Sequence, residues 1–81
     1  MNDDPRVLNF GRRVKRLRRA KELSQESLAD TASINASHLS AIERGTKIPT
    51  LTTVYRLADA LKVTAGELVD GASFSRRDDP D

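Results

Sequence analysis

Seven basic side chains, Arg12, Arg13, Lys15, Arg16, Arg18, Arg19 and Lys21, fall within ten consecutive positions that hold no acid. A strip of this kind attracts polyanions such as a phosphate backbone. The same charges also serve as the solvated face of a helix, and charge alone leaves both readings open. The whole chain masks the strip, because 14 basic and 12 acidic residues give a net charge of only +2. Residues 1–49 carry ten basic and six acidic residues, and residues 50–81 carry four and six. Catalytic chemistry has much less behind it. There is no cysteine and a single histidine, His38, which excludes disulfides and a thiol nucleophile and leaves a structural zinc site without ligands. His38 and Glu43 stand five residues apart, so they do not share a helix face as i, i+4 residues would. The chain is read as no enzyme, with no metal and no cofactor.

The elements that position these residues have to fit in 81 residues, which allows one small domain. No run of about 18 apolar residues is available to span a membrane. The start MNDDPRVLNF puts acids where a signal peptide carries basic residues, so a cytoplasmic location is expected. Residues 1–7 read as a flexible N-terminus, with Pro5 discouraging an early helix start. Residues 71–81, GASFSRRDDPD, read as a flexible polar tail. Between them, residues 8–70 show helical periodicity and no strand-like alternation. A first helix is expected over 9–21, with Phe10, Val14, Leu17 and Lys21 on one face. Ser24 is a good cap for a second helix that turns Leu28, Ala29 and Ala32 inward. Asn35 caps a third, with Leu39 and Ile42 inward and Gly45 ending it at positive φ. Thr50 caps a fourth, with Leu51, Val54, Leu57, Ala58 and Leu61 as its apolar stripe. Thr64 and Glu67 form a T-x-x-E capping box for a short fifth. The fold class is therefore all-α, a compact bundle of five helices. The second and third helices are joined by three or four residues around Ser33-Ile34, the connection of a helix-turn-helix. Leu28, Ala32, Ile34, Leu39 and Ile42 are its expected buried positions, and Ala29 is small where the two helices cross.

The segments LSQESLAD (23–30), HLSAIERG (38–45), IPTL (48–51) and ADAL (58–61) resemble the phage repressor/Cro-type, or Xre-type, helix-turn-helix family. The resemblance covers about residues 8–69. It implies a five-helix, lambda-repressor-like DNA-binding domain that regulates transcription as a homodimer on a palindromic operator, with residues 36–44 as the recognition helix in the major groove. Double-stranded DNA is then the partner, in a bacterial or phage setting at the nucleoid. The small size resembles restriction–modification controller proteins. An antitoxin-type or accessory DNA-binding protein, whose main partner is another protein, is the alternative. A small-molecule ligand is not expected, because a core this small leaves no room for a pocket of about 300 Å³.

By position in the family motif, Ala36, Ser37, His38 and Ala41 correspond to base-facing sites. None is the Arg, Asn or Gln that makes bidentate base contacts, so weak direct readout and a larger share of shape readout are expected. His38 also has packing and phosphate contact as competing readings. Gln25 stands at a helix N-terminus, where free N–H groups and the dipole favour a phosphate, and the family's matching Gln clamps the DNA backbone. Arg44, Thr46 and Lys47 follow the recognition helix and are expected on the backbone, with Ser40 adding a contact. Arg12, Arg13 and Arg16 are read either as reaching outer phosphates or as solvated. The resemblance also implies that Arg18 pairs with Glu43 as a structural ion pair, joining the first helix to the end of the third. Where the family often has glycine, this chain has Glu22, Ser33 and Lys62. Ser27 replaces the usual Glu of the capping box. Leu68, Val69, Phe74 and Tyr55, with Leu51 a further option, are the expected dimer interface. The competing reading is that Leu68 and Val69 complete the monomer core.

Overall fold

Each helix starts at a polar side chain that satisfies one of the backbone N–H groups a helix leaves without a partner. The structure, a computed structural model, describes residues 4–70. It contains α1 (Pro5–Ala20), α2 (Gln25–Ala32), α3 (Ala36–Arg44), α4 (Leu51–Leu61) and α5 (Ala65–Asp70). Ser24 accepts from the Ser27 N–H at 3.0 Å, Asn35 from His38 at 2.9 Å and Thr50 from Thr53 at 3.1 Å. At α5 the Thr64 and Glu67 side chains each accept from the other's backbone N–H at 2.9 Å. Helix α1 begins four residues before the expected start. Pro5 does not delay it, because proline at the first helical position has a suitable φ and lacks only an N–H that would be unpaired anyway. Asp4 caps this end by accepting from the Arg6 N–H at 2.9 Å. Hydrogen bonds from Arg6 hold the Asp4 carboxyl below its ordinary pKa.

The ends of α1 to α4 repeat one turn. Glu22, Ser33, Gly45 and Lys62 all have positive φ, between 59° and 78°. The residue after each sends its N–H back five positions: Leu23 to Arg18, Ile34 to Ala29, Thr46 to Ala41 and Val63 to Ala58, at 2.9–3.1 Å. This is the Schellman closure, which satisfies terminal carbonyls and reverses the chain within three residues. Glycine occupies one of the four positions, and the other three bear the steric cost of a Cβ in the left-handed region.

One core results. Phe10 and Val14 of α1 meet Leu28, Ala29 and Ala32 of α2, Leu39 and Ile42 of α3, Val54, Leu57, Ala58 and Leu61 of α4, and Leu68 of α5. Helix α1 packs on α3, α2 on α3 and α4, and α5 on α4 and α1. Four expectations need correction. Lys21 is exposed; Leu17 is partly buried and packs against the core as expected, and the inner face of α1 adds Gly11 and Arg18. Ile34 is partly rather than fully buried. Leu51 is 70% exposed, because α4 turns Thr53 and Val54 inward at its start. Leu68 is fully buried and cannot serve an interface, since a short α5 closes the core only by inserting this side chain. No helix among the described residues is long and apolar enough to cross a membrane.

The contact of α1 with α3 is made backbone to backbone. A Cβ on Gly11 would lie 2.1 Å from the Ile42 carbonyl oxygen and 2.9 Å from that of Glu43. Beside it, Arg18 and Glu43 form a fork. Arg18 Nε donates to Glu43 Oε2 at 2.7 Å and Nη2 to Oε1 at 3.1 Å. The third guanidinium nitrogen, Nη1, donates to the Leu23 carbonyl at 2.8 Å and ties the turn after α1 into the same group. Both side chains are almost out of solvent, at 10% and 3% exposure. The bond to Glu43 raises the Arg18 pKa above its ordinary value, so the guanidinium keeps its charge at any physiological pH.

Three stability changes follow from this architecture. Gly11→Ala gains about 1 kcal/mol of helix propensity, but the methyl group meets carbonyl oxygens that cannot move without lifting α1 from α3. We expect the melting temperature to fall; a rise would show that α1 does not pack this closely. Ser33→Gly relieves about 1 kcal/mol of left-handed strain, worth roughly 4–8 °C in melting temperature for a domain of this size. No change would mean that the turn has another conformation in solution. Glu43→Ala strands the Arg18 charge and should cost about 3 kcal/mol in denaturant unfolding; a variant as stable as its parent would refute the pairing.

Candidate nucleic-acid interface

Four polar or charged side chains and one alanine converge where the chain enters α3. Asn35, Ser37, His38, Ala41 and Lys47 line one shallow, open groove between the start of α3 and the loop that follows it. Asn35 caps the helix, and the N–H groups of its first turn carry the positive end of the helix dipole. Ser37 is exposed and donates its hydroxyl to Asn35 Oδ1 at 3.0 Å, which leaves its lone pairs as acceptors. His38 is half-buried; its Nε2 is covered and has no hydrogen-bond partner among the described residues. Ala41 is half-buried and lines the groove. Ala36 is partly buried against the core, so it presents less surface outward than a base-facing position should.

Around this groove the expected backbone contacts divide into two groups. Lys47 and Arg44 are exposed, and Lys47 stands at the groove itself. Arg44 Nη1 donates to Ser40 Oγ one turn earlier, which keeps the Ser40 O–H as a donor. Thr46 is different. Its N–H and its hydroxyl both donate to the Ala41 carbonyl, at 3.0 and 3.2 Å. A phosphate oxygen only accepts, so Thr46 offers it nothing until one of these bonds opens. Gln25 is half-buried at the start of α2, and its Nε2 donates to Glu43 Oε1 at 2.9 Å. Arg12 and Arg16 are exposed on α1, with no ion pair to another described residue, and Arg13 is half-buried with its Nε covered and without a hydrogen-bond partner among the described residues. The structure does not bring these three to the groove.

The expected dimer residues also divide. Leu68 is in the core, whereas Tyr55 and Val69 are 55% and 47% exposed; Phe74 lies outside the described residues. Ile48 and Leu51, 64% and 70% exposed, add two large apolar side chains at the start of α4 and in the loop before it.

Sequence reasoning missed two parts of this arrangement. The bond from Gln25 to Glu43 spans 18 positions, and no local pattern announces it. Gly11 does leave a signal, since a glycine within a helical stripe marks either weakness or a close approach.

Comparison with known proteins agrees with this geometry. The HTH_3 family model, described as helix-turn-helix, matches residues 14–68. The HTH-type transcriptional regulator y4dJ of Sinorhizobium fredii is 44% identical over 59 residues, which cover 73% of this chain and 77% of that protein. The control protein C.BamHI of Bacillus amyloliquefaciens is 35% identical over 71 residues, or 86% of each chain. Among solved structures, the restriction-modification controller protein C.AhdI of Aeromonas hydrophila superposes with a TM-score of 0.75 at 39% identity, covering 76% of this chain and 94% of its own. An exposed, capped third helix set at a tight turn against the second, together with these matches, places the chain in the helix-turn-helix family of DNA-binding transcriptional regulators.

Proposed function

We propose that the protein binds a two-fold symmetric site on double-stranded DNA as a homodimer and regulates transcription from it. The observation that carries this reading is the groove at the start of α3, where an exposed helix N-terminus and Lys47 meet small side chains. A duplex approaching this face meets Ser37, His38 and Ala41 first, which suits insertion of α3 into the major groove. Ala41 fits a thymine methyl, and Ser37 accepts a hydrogen bond. The ring of His38 must turn to bring its covered Nε2 to a base or a phosphate. None of these contacts is bidentate, so DNA shape and deformability supply much of the selectivity. Lys47, Arg44, Ser40 and Gln25 hold the sugar-phosphate backbone on either side, and Thr46 joins them only by releasing Ala41. Arg12, Arg13 and Arg16 add to the field that draws DNA in rather than to fixed contacts. The second copy docks on Ile48, Leu51, Tyr55 and Val69, large apolar side chains that the monomer leaves in water. Two modules paired in this way read half-sites about 34–36 Å apart. The DNA upstream of the protein's own gene is the first site to test, because a regulator with no separate sensor domain in its helical core can respond to its own concentration.

The test is a salt titration of binding to that upstream duplex and to a random duplex of equal length. We expect tighter, saturable binding to the upstream duplex, a complex holding two protein chains, and a linear fall of log K with log salt. Lys47→Ala should weaken binding to both duplexes and lower the slope by about one charge per chain. Equal binding to both duplexes, or one chain per complex, would overturn the reading.

A further inference from the structure

The Glu43 carboxylate does more than pair with Arg18. It collects three N–H donors: two from the Arg18 guanidinium, at 2.7 and 3.1 Å, and one from the Gln25 amide, at 2.9 Å. Gln25 and Arg18 both meet Oε1, and Oε2 belongs to Arg18 alone. A primary amide is ambiguous at a DNA surface. Turned one way it offers N–H groups to a phosphate; turned the other it offers a carbonyl oxygen, which a phosphate repels. A carboxylate can only accept, so it admits only the amide orientation that brings Nε2 toward it. The amide nitrogen carries two hydrogens, and the bond to Glu43 uses one. The second is left as a donor, on a side chain whose rotamer and flip are already chosen before DNA arrives. Fixing them in advance removes ordering cost from the binding step.

We infer that Glu43 is a positioning residue for the DNA-backbone contact of Gln25, and that Arg18 holds Glu43 in place for it. The buried fork of α1 and α3 thereby extends to the protein surface at the start of α2. Arg18 lies within the basic strip of α1, yet its effect on DNA passes through two other side chains. This inference rests on the reading of Gln25 as a phosphate contact, and it concerns how that contact is prepared.

The experiment is a double-mutant cycle read in affinity for the upstream duplex, with every protein held well below its melting temperature. Gln25→Ala should weaken binding about tenfold, the scale of one hydrogen bond to a charged group. Glu43→Gln keeps the shape of the side chain but leaves one acceptor oxygen. The charged Arg18 takes that oxygen, and an N–H then faces Gln25. We expect a loss as large as that of Gln25→Ala or larger, and almost no further loss when the two changes are combined. Lys47→Ala, which touches neither residue, should keep its full cost in the Glu43→Gln background. A general loosening of the fold would instead weaken every contact together. If Glu43→Gln does not fold, Glu43→Asp replaces it, since a carboxylate one methylene shorter cannot hold both partners. Additive losses for Gln25→Ala and the Glu43 variant would overturn the inference while leaving the DNA-binding reading intact. Parent protein that shows no preference for the upstream duplex would instead overturn the DNA-binding reading, and this inference with it.

Discussion

A carboxylate removed from water must have its lone pairs occupied, and this requirement organises the whole domain. Glu43 stands near the end of α3 with 3% of its side chain exposed. An unpaired charge at that depth would cost several kcal/mol. The donors come from α1 and from the first residue of α2, so three elements distant in sequence are brought to one point. The planar fork of arginine suits the task because two parallel N–H groups match the two carboxylate oxygens. The absence of a side chain at Gly11 allows the helices to come that close. Hydrophobic burial supplies most of the free energy of folding, but it is non-directional. The fork is directional, and it sets how α1 lies across α3.

The second constraint is the reuse of one tight turn. Four helices end in the same left-handed closure, and three of them use Glu, Ser or Lys where glycine would be unstrained. At the turn between α2 and α3 this closure leaves just Ser33 to Asn35 between the helices. So short a connection turns α3 sharply away from α2. The side of α3 bearing Leu39 and Ile42 then enters the core, and Ser37 in the first turn of the helix remains outside. Strain at Ser33 is tolerated because Ile34 and Leu39 are drawn inward on the far side of it. The exposed groove at the start of α3 is therefore a product of core packing and turn geometry together.

Much of the architecture was legible because it is local. A cap such as Ser24, Asn35 or Thr50 is recognised by its own chemistry and by the apolar stripe that follows. Periods of three and four residues identify a helix without knowledge of its neighbours. Errors arose where a neighbour decides. Leu51 continues the apolar stripe of α4, but at the start of that helix Thr53 and Val54 are the side chains turned inward, so Leu51 stays in water. Leu68 reads equally well as surface or core until α5 is seen lying against α4 and α1. Thr46 looks like a free hydroxyl in a loop, yet the Schellman turn brings it back to the Ala41 carbonyl.

The sequence by itself determined the number and type of the helices, their caps, the short turn at Ser33 and the concentration of positive charge in the first part of the chain. Each of these depends on residues within about four positions of one another, which is the range over which backbone hydrogen bonds and side-chain caps act. Only the tertiary structure decided which polar atoms are spent inside the protein and which remain to meet a partner. The Gln25 amide, the Thr46 hydroxyl and the Arg18 guanidinium are all plausible phosphate donors in one dimension. In three dimensions the Gln25 amide keeps one N–H, the Thr46 hydroxyl is already donated, and the Arg18 guanidinium is committed to Glu43 and Leu23. Hydrogen-bonding capacity is finite and is divided among groups that folding brings together from distant parts of the chain, and no local pattern in the sequence records that division.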